Sequence, residues 1–543
     1  MEPTIEFLSD WESDSNETGR TFSSICSWKQ FKLAFKTEQW TTTPSFDGLA
    51  CQRYLPQLEL FDHQKKAVKQ VLEEMDGKAI LADEVGLGKT IEAGLILKEY
   101  MIRGLVKKAL ILVPASLTGQ WAAELNQKFY IPAVTQRKSY VWEKADIVVG
   151  SIDTAKRAPH REIVLNQEYD MIIIDEAHRL KNANTKNYAF VKELKKKFCL
   201  MLTATPVQNH PAELYHLINL LKPGMFGSPA QFKALFDKED HESVRHIVKK
   251  VMVRNRREET GIKWTKRKIH SNFIPFTPEE RSFYDTLQSL FLINNSASGG
   301  FLKTTLLREA CSSKEAVFMT VKRLHERGDI SDESFQNLLA LMQNIEKNSK
   351  ADRALEIIQS TEDKVVLFTE YRATQLYLQW YFKQHGIISV PFRGGFKRGK
   401  KEWMQQLFRD RAKVLIATEA GGEGINLQFS STIINFDLPW NPMRLEQRIG
   451  RLHRLGQKND VNIFHFAVKN TVDEQILTLL YEKIEMFENV IGEMEAILSK
   501  TSFVDFEGYM ADAVLHSDSL QETEIKLNHL YELAKQGKQV NSQ

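Results

Sequence analysis

The sequence predicts an α/β protein with two tandem lobes, each built around a parallel sheet. Ten short runs rich in Ile, Leu and Val alternate with segments of helical length, and they fall into two groups of five. The runs do not alternate with polar residues, which is typical of parallel strands buried on both faces. A glycine-rich turn stands between the first run and a helical segment, which is the context of a phosphate-binding loop.

The order of these patterns predicts how the chain is divided. Segments of helical spacing separate the strands, a mostly helical stretch joins the two groups, and further helices follow Thr471. The predicted strands are residues 78–85, 109–114, 146–151, 171–177 and 198–206 in the first group, and 364–370, 388–394, 413–419, 431–437 and 461–468 in the second. The predicted segments are an N-terminal segment of unassigned role (1–55), a first lobe (56–275), a helical insertion (276–345), a second lobe (346–500) and a polar C-terminal tail (501–543).

Composition limits the classes of protein that this chain can belong to. With 73 basic and 70 acidic side chains among 543 residues, a nucleic-acid partner would have to be held by local basic patches. No apolar run approaches the length of a membrane span, and the acidic N-terminus lacks a signal-peptide pattern. The four cysteines form no C-x-x-C pair and the histidines are scattered, so we expect free thiols and no structural metal. These features favour a cytoplasmic protein.

The turn at residues 81–90, LADEVGLGKT, carries the first chemical signal. Its backbone N–H groups and the start of the following helix can cradle phosphates. Lys89 is expected to reach the outer phosphates, and the hydroxyl of Thr90 to bind Mg²⁺. Asp83 stands where the general pattern has glycine, so a loop that binds nothing remains an alternative on this motif alone.

An acidic pair ends the fourth predicted strand. Asp175 and Glu176 follow four apolar residues and begin the tetrapeptide DEAH. At the carboxyl end of a strand, Asp175 can hold Mg²⁺ through its waters, and Glu176 can orient and deprotonate an attacking water. A chance D-E pair is the alternative, but the spacing of about ninety residues from the glycine-rich turn favours one site.

Arginines in the second lobe supply the third signal. QRIGRLHR places them three residues apart on one helical face, where Arg451 and Arg454 could point at a γ-phosphate held by the first lobe. A solvated basic helix face is the alternative. LTATP at 202–206 could link the nucleotide site to a second ligand site, or could be a simple strand-to-helix turn. Basic clusters that could line a phosphate-tracking groove, or be solvated surface, occur at 195–197, 254–257, 263–268 and 397–401.

Taken together, the motifs resemble those of the Swi/Snf family of superfamily-two helicase-type ATPases, over about residues 58–480. The resemblance implies two RecA-like lobes that bind ATP and Mg²⁺ between them. LFDHQ resembles the adenine-reading motif, with Gln64 as the reader, and the family normally has an acidic residue at the position of Asp83. The resemblance therefore implies that nucleotide contacts come from Gln64, Asp83, Glu84, Val85, Gly86, Leu87, Gly88, Lys89 and Thr90.

The segment 419–457, which includes DLPWNP and QRIGRLHRLGQ, is the part most similar to this family. It implies that Gly422 and Glu423 lie by the nucleotide and that Arg451 and Arg454 are arginine fingers. Family members grip the duplex backbone near three motifs, which implies DNA contacts from Ser116, Arg393, Asn426 and Trp440.

The expected function is that of a DNA-stimulated ATPase that tracks along double-stranded DNA. The sequences of the motifs resemble those of bacterial members of the RapA/HepA type. This resemblance implies a nucleoid-associated protein with RNA polymerase or another DNA-bound protein as a further partner. Two alternatives stay open: a strand-separating DNA or RNA helicase, and a protein that binds ATP without turnover to clamp DNA or polymerase.

Overall fold

The computed structural model describes residues 48–203, 211–232, 247–290, 297–396, 398–422, 425–440 and 442–478, together with residues 28 and 32. The chain separates into two compact units, Met1–Gly48 and Leu49–Gln543. In the first unit, the Lys32 ammonium lies 5.3 Å from the centre of the Trp28 ring. Most of the predicted segment 1–55 and all of the predicted tail 501–543 lie outside the described residues. The second unit contains both sheets.

The first sheet has seven parallel strands in the order β3-β4-β2-β5-β6-β1-β7. All residues of β2 and β4 are buried, as expected for central strands covered by helices on both faces. Because the strands are parallel, the chain must cross over the sheet between one strand and the next, and helices form these connections. The strands are β1 (Lys78–Leu81), β2 (Ala109–Val113), β3 (Val134–Thr135), β4 (Ile147–Ser151), β5 (Tyr169–Asp175), β6 (Lys196–Leu202) and β7 (Met252–Val253).

Helices pack on this sheet through apolar faces set by their sequence spacing. The first of them buries Ala67, Val68, Val71 and Leu72, which recur at helical intervals. Short 3₁₀ turns lie at Ala50–Tyr54, Ala177–Leu180 and Glu258–Thr260. The α-helices are α1 (Asp62–Glu73), α2 (Lys89–Ile102), α3 (Thr118–Phe129), α4 (Val141–Lys144), α5 (Ile152–Ala155), α6 (His160–Leu165), α7 (Lys186–Glu193) and α8 (Pro211–Leu221).

The second sheet has six parallel strands in the order β10-β11-β9-β12-β13-β8. Neighbouring residues of its central strand face opposite cores: Val366 and Phe368 pack on one side, Val365 and Leu367 on the other. Burial on both faces explains the unbroken apolar runs in the sequence. The strands are β8 (Arg267–Ile274), β9 (Val365–Thr369), β10 (Ser389–Phe392), β11 (Val414–Thr418), β12 (Thr432–Asn435) and β13 (Val461–Val468).

Strand β8 differs from the sequence expectation. It pairs with β13 along its whole length, so it belongs to the second sheet although the predicted boundary at residue 275 assigns it to the first lobe. As an edge strand it leaves Ile269 and Phe273 exposed, and the rest of its residues are polar apart from Ile274. It therefore lacks the apolar pattern of a buried strand, and we propose a lobe boundary before Arg267.

The stretch between β8 and β9 is helical, as predicted, and packs on the second sheet. Leu287, Leu306, Val321 and Leu338 share one core with the strand residue Phe392. The insertion is thus part of the second lobe's packing. The remaining helices are α9 (Pro278–Leu290), α10 (Ala297–Ser312), α11 (Lys314–Glu326), α12 (Asp332–Asn344), α13 (Ser349–Ser360), α14 (Arg372–Gln384), α15 (Arg398–Asp410), α16 (Glu419–Gly422) and α17 (Pro442–Ile449).

The fold class predicted from the sequence is confirmed. Each of the ten predicted strands is present within a few residues of its expected bounds, and every described strand pairing is parallel. The three cysteines in the described part of the chain, Cys51, Cys199 and Cys311, are buried free thiols. In the same residues, every helix is too short or too polar to cross a lipid bilayer.

Candidate active site between the two lobes

The glycine-rich loop joins β1 to α2 at the edge of the first sheet. Gly86 and Gly88 have φ angles of 95° and 99°, a conformation that residues with a Cβ rarely adopt. Gly88 is the N-cap of α2. The loop therefore directs the unpaired N–H groups of the helix start toward one point, where an anion can bind.

Lys89, the first residue of α2, turns its side chain back into the loop. Its Nζ donates to the carbonyl oxygens of Asp83 and Glu84 at 2.5 and 3.3 Å. Burial lowers the pKa of Lys89, while the nearby Asp83 and Glu176 carboxylates oppose that shift. The ammonium is thus held at the centre of the loop, as a phosphate ligand would require.

The loop is supported from beneath by side chains of α1 and of the segment after β7. Gln64 is buried, donates Nε2 to the Leu87 carbonyl at 3.0 Å and accepts the Phe61 N–H at 3.3 Å. The Asp83 carboxylate accepts the Asn255 backbone N–H at 2.8 Å and its side-chain amide at 3.1 Å. Gln64 and Asn255 thus hold the loop in shape. The role of Gln64 in adenine recognition stays a prediction.

Asp175 is the last residue of β5, and Glu176 follows it with a φ of 52°. The Asp175 carboxylate accepts the Glu176 N–H at 2.8 Å through Oδ1 and the Trp121 indole N–H at 2.8 Å through Oδ2. Burial and the adjacent Glu176 charge raise the pKa of Asp175 to about 6, although the Trp121 hydrogen bond acts against them. Asp175 and Glu176 lie at the carboxyl ends of the strands, and their charges act on Lys89 of the glycine-rich loop.

Glu176 is ionised across the neutral range. Burial alone would raise its pKa, but the His178 ring 3.3 Å away and the charges of Arg451 and Lys89 outweigh burial and lower it. An ionised carboxylate that faces cations can orient water and accept its proton. The hard oxygens of Thr90 and Asp175 suit Mg²⁺, which, when bound, would neutralise charge on the phosphates.

Arg451 and Arg454 follow α17 in the second lobe and face the acids of the first. The Arg451 charge reaches Glu176. Arg454 donates its Nε–H to the Gly450 carbonyl at 2.5 Å, and burial together with Arg451 lowers its pKa to about 10, while Asp175 and Glu176 act in the opposite direction. The structure thus brings together the loop, the acids and both predicted finger arginines.

The two lobes touch at the loop itself. A Cβ on Gly450 would collide with the Val85 side chain, and a Cβ on Gly86 would lie 3.2 Å from the His453 carbonyl oxygen. The Leu455 N–H also faces the Gly86 carbonyl at 3.4 Å. Glycines on both sides of this contact therefore allow the backbones to approach closely.

Three residues of this site were not identified from the sequence. Trp121 lies five residues after Ser116, a predicted DNA contact, but its hydrogen bond to Asp175 spans 54 positions. Asn255 and Arg257 lie in the basic cluster 254–257, for which the sequence allowed either a phosphate-tracking groove or a solvated surface. Neither local pattern reveals which distant carboxylate or carbonyl these side chains bind.

His63, Asp83 and Glu92 form a buried cluster under the loop, with ligand atoms within 4.8 Å of one another. Burial and the Asp83 charge raise the pKa of Glu92 well above its ordinary value. Glu92 is therefore a neutral acid beside an Asp83 carboxylate that Asn255 already satisfies. The three residues are too far apart in sequence to form a recognisable metal motif.

The remaining nucleotide-site predictions fall at the edge of the described residues. Gly422 ends α16, which follows β11 at the carboxyl edge of the second sheet. Glu423 lies outside the described residues, and so does the LTATP stretch (202–206) from residue 204 onward. Their predicted roles are left as predictions.

The four predicted DNA contacts occupy different positions. Ser116 follows β2 and is half-buried, and Arg393 follows β10 with its guanidinium 4.9 Å from the Phe396 ring. Asn426 is exposed and bound to α15 through its carbonyl oxygen, which accepts the Gln405 amide at 3.0 Å. Trp440 is partly buried against the second core, with Arg308 over its ring at 5.0 Å. Its packing role is visible, and a DNA role for any of the four stays a prediction.

Comparison with known proteins gives a consistent picture. Residues 63–354 match the SNF2-related domain, and residues 347–456 match the helicase conserved C-terminal domain. The ATP-dependent helicase YqhH of Bacillus subtilis is 52% identical over 540 residues, which cover 98% of this chain and 97% of that protein. The RNA polymerase-associated protein RapA of Klebsiella pneumoniae is 28% identical over 84% of this chain, but the chain spans only 52% of RapA. The Pyrococcus furiosus Hef helicase domain aligns over 79% of this chain and 99% of its own, with a TM-score of 0.50 and 18% identity, and this likeness concerns the fold alone.

Proposed function

The chain belongs to the SNF2-related family of ATP-dependent, helicase-type enzymes, and on that basis we propose that it is a DNA-dependent ATPase that moves along duplex DNA without separating the strands. The observation that carries this proposal is the composite site. Gly450, the residue before Arg451 in the second lobe, packs against the Val85 side chain of the phosphate-binding loop, and the charge of Arg451 lowers the pKa of Glu176 in the first lobe. A site completed by two lobes couples hydrolysis to their relative movement.

Each side chain has a proposed task. The loop N–H groups and Lys89 bind the phosphates, and Thr90 and Asp175 hold Mg²⁺. Glu176 orients the attacking water and accepts its proton. Arg451 and Arg454 stabilise the charge that develops on the transferred phosphoryl group. ATP binding would thus draw the lobes together, and release of products would let them part.

The proposed substrate is the backbone of double-stranded DNA. Arg393 and Asn426 flank α15 on the second lobe, and a guanidinium and an amide are suited to phosphate contacts without sequence readout. Ser116 and Trp440 are the further proposed contacts. RapA is named for its association with RNA polymerase, and we extend that to RNA polymerase or another DNA-bound protein as a proposed partner, in a nucleoid-associated protein.

The test is the steady-state ATPase rate of the purified chain alone and with duplex DNA, single-stranded DNA or RNA. We expect strong stimulation by duplex only. Lys89→Ala and Glu176→Gln should abolish turnover, and Glu176→Gln should still bind ATP, because the amide keeps the shape but cannot accept the proton. Retained hydrolysis in either variant would contradict the assigned roles.

Two other outcomes would redirect the proposal. Stimulation by single strands or RNA, together with unwinding of a forked duplex, would favour a strand-separating helicase. Tight ATP binding without turnover on any polymer would favour a protein that uses ATP only to hold one shape.

A further inference from the structure

The segment between the two sheets passes directly beside the phosphate-binding loop. This segment, residues 254–266, leaves β7 of the first sheet and enters β8 of the second; we call it the interlobe segment. It contains Arg257, whose side chain is largely buried. A buried guanidinium must be hydrogen-bonded to be tolerated, so its partners indicate its role.

Arg257 binds the phosphate-binding loop through both backbone and side chain. Its backbone N–H donates to Glu84 Oε2 at 2.9 Å, and its Nη2 donates to the Val85 carbonyl at 2.5 Å. The guanidinium also lies over the Trp264 ring at 4.7 Å. These contacts fix the outer half of the loop, next to Gly86.

The same guanidinium binds the segment that carries the finger arginines. Arg257 Nη1 lies 3.0 Å from His453 Nδ1, and Nη2 lies 3.3 Å from the His453 carbonyl oxygen. A Cβ on Gly86 would lie 3.3 Å from Arg257 Nη2 and 3.4 Å from the Cα of Arg454. Arg257 thus joins the loop of one lobe to the residue between the two fingers of the other.

The hydrogen bonds determine the protonation state of His453. Its Nδ1 faces two guanidinium donors, Arg257 Nη1 and Arg267 Nε, both at 3.0 Å. Arginine offers no acceptor, so Nδ1 must accept, and Nε2 carries the proton that it donates to the Thr265 carbonyl at 2.9 Å. The ring is therefore neutral.

The charged groups around His453 favour this neutral form. Burial, Arg267 and Arg257 lower its pKa to about 4, and the nearby Glu446 carboxylate acts against them. Glu446 is itself bound to Arg267 at 3.0 Å. Protonation of His453 would place three cations together and weaken the contact between the lobes.

We propose that Arg257 and neutral His453 form a joint that sets the position of Arg451 and Arg454 relative to the phosphate-binding loop. Both are positioning residues for ATP hydrolysis, and the proposal rests on the finger role proposed above for Arg451 and Arg454. His453 lies one residue from Arg454 and two from Arg451, so a shift of its ring moves both. A misplacement of about 1 Å can cost a hundredfold in rate.

The first test compares Arg257→Ala and Arg257→Lys with Arg256→Ala, in ATPase assays without DNA. Arg256 is a matched control because its side chain pairs with Glu259 on the surface at 3.7 Å. We expect kcat to fall about ten- to a hundredfold in both Arg257 variants, with the Kd for ATP within about threefold of wild type. Lysine should not substitute, because Arg257 binds His453 Nδ1 through Nη1 and the Val85 and His453 carbonyl oxygens through Nη2, whereas lysine has a single terminal nitrogen. Arg256→Ala should retain the wild-type kcat.

Two results would overturn the proposal. An unchanged kcat in Arg257→Ala would show that the joint does not matter for hydrolysis. A loss of ATP affinity as large as the loss of kcat would show that Arg257 only supports the loop. Thermal unfolding of each variant checks that the fold is retained. If Arg257→Ala does not fold, His453→Gln, described next, tests the proposal instead.

The second test uses His453→Gln, because a glutamine can accept from the guanidinium groups and donate to Thr265 but does not titrate. Its kcat at pH 7.5 should be within about threefold of wild type. Below about pH 6.5, His453 binds a proton more readily when the lobes are apart than when they are in contact. A falling pH therefore weakens the contact between the lobes, by up to about tenfold per pH unit. The ratio of variant to wild-type kcat should therefore rise as the pH falls to 5, and a ratio that does not change with pH would refute the joint.

A double-mutant cycle separates this proposal from the finger assignment. If the joint acts through the two finger arginines, Arg257→Ala should lower kcat less than about threefold in a background that lacks both of them, Arg451→Ala with Arg454→Ala. Full additivity of the two changes would overturn the joint while leaving the finger role intact. Wild-type kcat in Arg451→Ala and Arg454→Ala would instead show that the finger assignment, and the joint built on it, is wrong.

Discussion

Trp121 donates its indole N–H to Asp175 Oδ2 at 2.8 Å, across 54 positions of sequence. The bond joins α3 to the carboxyl end of β5, and it stabilises the ionised form of a carboxylate that burial and Glu176 push toward protonation. The carboxylate proposed to hold Mg²⁺ is therefore kept charged by a side chain outside the acidic motif.

The first prediction concerns Trp121→Phe. Loss of a hydrogen bond to a charged group costs about 1.5 kcal/mol, which corresponds to about one pKa unit. Because the bond favours the charged form, its loss should raise the pKa of Asp175 above about 6, and the acid limb of kcat/KM for Mg-ATP should move upward by about one pH unit. Rates measured from pH 5.5 to 8.5 would show this shift, with near wild-type values at pH 8.5.

Trp142→Phe is the matched control for this prediction. Trp142 is fully buried in the same lobe and donates its indole N–H to His160 at 3.1 Å. Its replacement costs packing and a hydrogen bond but does not touch Asp175. The same shift of the acid limb in both variants would show that Trp121 acts only through general stability.

The second prediction concerns Glu92, a buried acid whose pKa is raised by burial and by Asp83. The folded chain keeps the proton of Glu92 while the unfolded chain releases it above about pH 4.5. The stability that this proton contributes is therefore present below that pH and is lost as the pH rises. Glu92→Gln removes the titration, so the melting temperature of the variant relative to wild type should increase from pH 5 to pH 8.

Glu168→Gln provides the comparison for Glu92, because Glu168 is an exposed side chain paired with Lys195 at 3.6 Å. Its melting temperature relative to wild type should show little change over the same pH range. A constant difference between Glu92→Gln and wild type would contradict a protonated Glu92.

The same features explain how much of this molecule the sequence could predict. Ten strands were predicted because central parallel strands are apolar without interruption, and the acids and glycines of the site lie in local motifs. Strand β8 was missed because an exposed edge strand such as Arg267–Ile274 carries no such run. The bonds of Asn255 to Asp83 and of Arg257 to Val85 each span 172 positions, and no local pattern specifies partners at that distance.

The third prediction concerns Lys350, which is buried in the second lobe. Its Nζ lies 2.9 Å from Asp473 Oδ2 and 3.4 Å from Asp437 Oδ1. Lys350→Met leaves two buried carboxylates without their cation, which should cost about 3–5 kcal/mol of stability. Urea unfolding followed by circular dichroism would measure the loss.

Two further variants test the reason for that loss. Asp473→Asn in the Lys350→Met background removes one of the uncompensated charges and should restore part of the stability. Lys69→Met removes an exposed lysine that pairs with Glu73 at 3.8 Å, and it should change stability by less than about 0.5 kcal/mol. Equal effects of Lys69→Met and Lys350→Met would refute a structural role for the buried lysine.

The fourth prediction concerns the place where the lobes touch. A Cβ on Gly450 would collide with the Val85 side chain, so Gly450→Ala should hold the lobes apart at the phosphate-binding loop. Because Arg451 follows Gly450 directly, the fingers would move away from the phosphates and kcat should fall at least tenfold. ATP affinity should change little, since the contacts of Lys89 with its own loop lie within the first lobe.

A second substitution in the other lobe should reverse this defect. Val85→Ala removes the methyl group that the new Cβ would meet, so Gly450→Ala with Val85→Ala should recover much of the lost kcat, whereas Val85→Ala alone should be close to wild type. Recovery would require that the two lobes touch during turnover as they do here. The added Cβ would also lie 3.1 Å from the Glu446 carbonyl oxygen at the end of α17. If the double variant is as slow as Gly450→Ala, the defect arises from this contact within the second lobe.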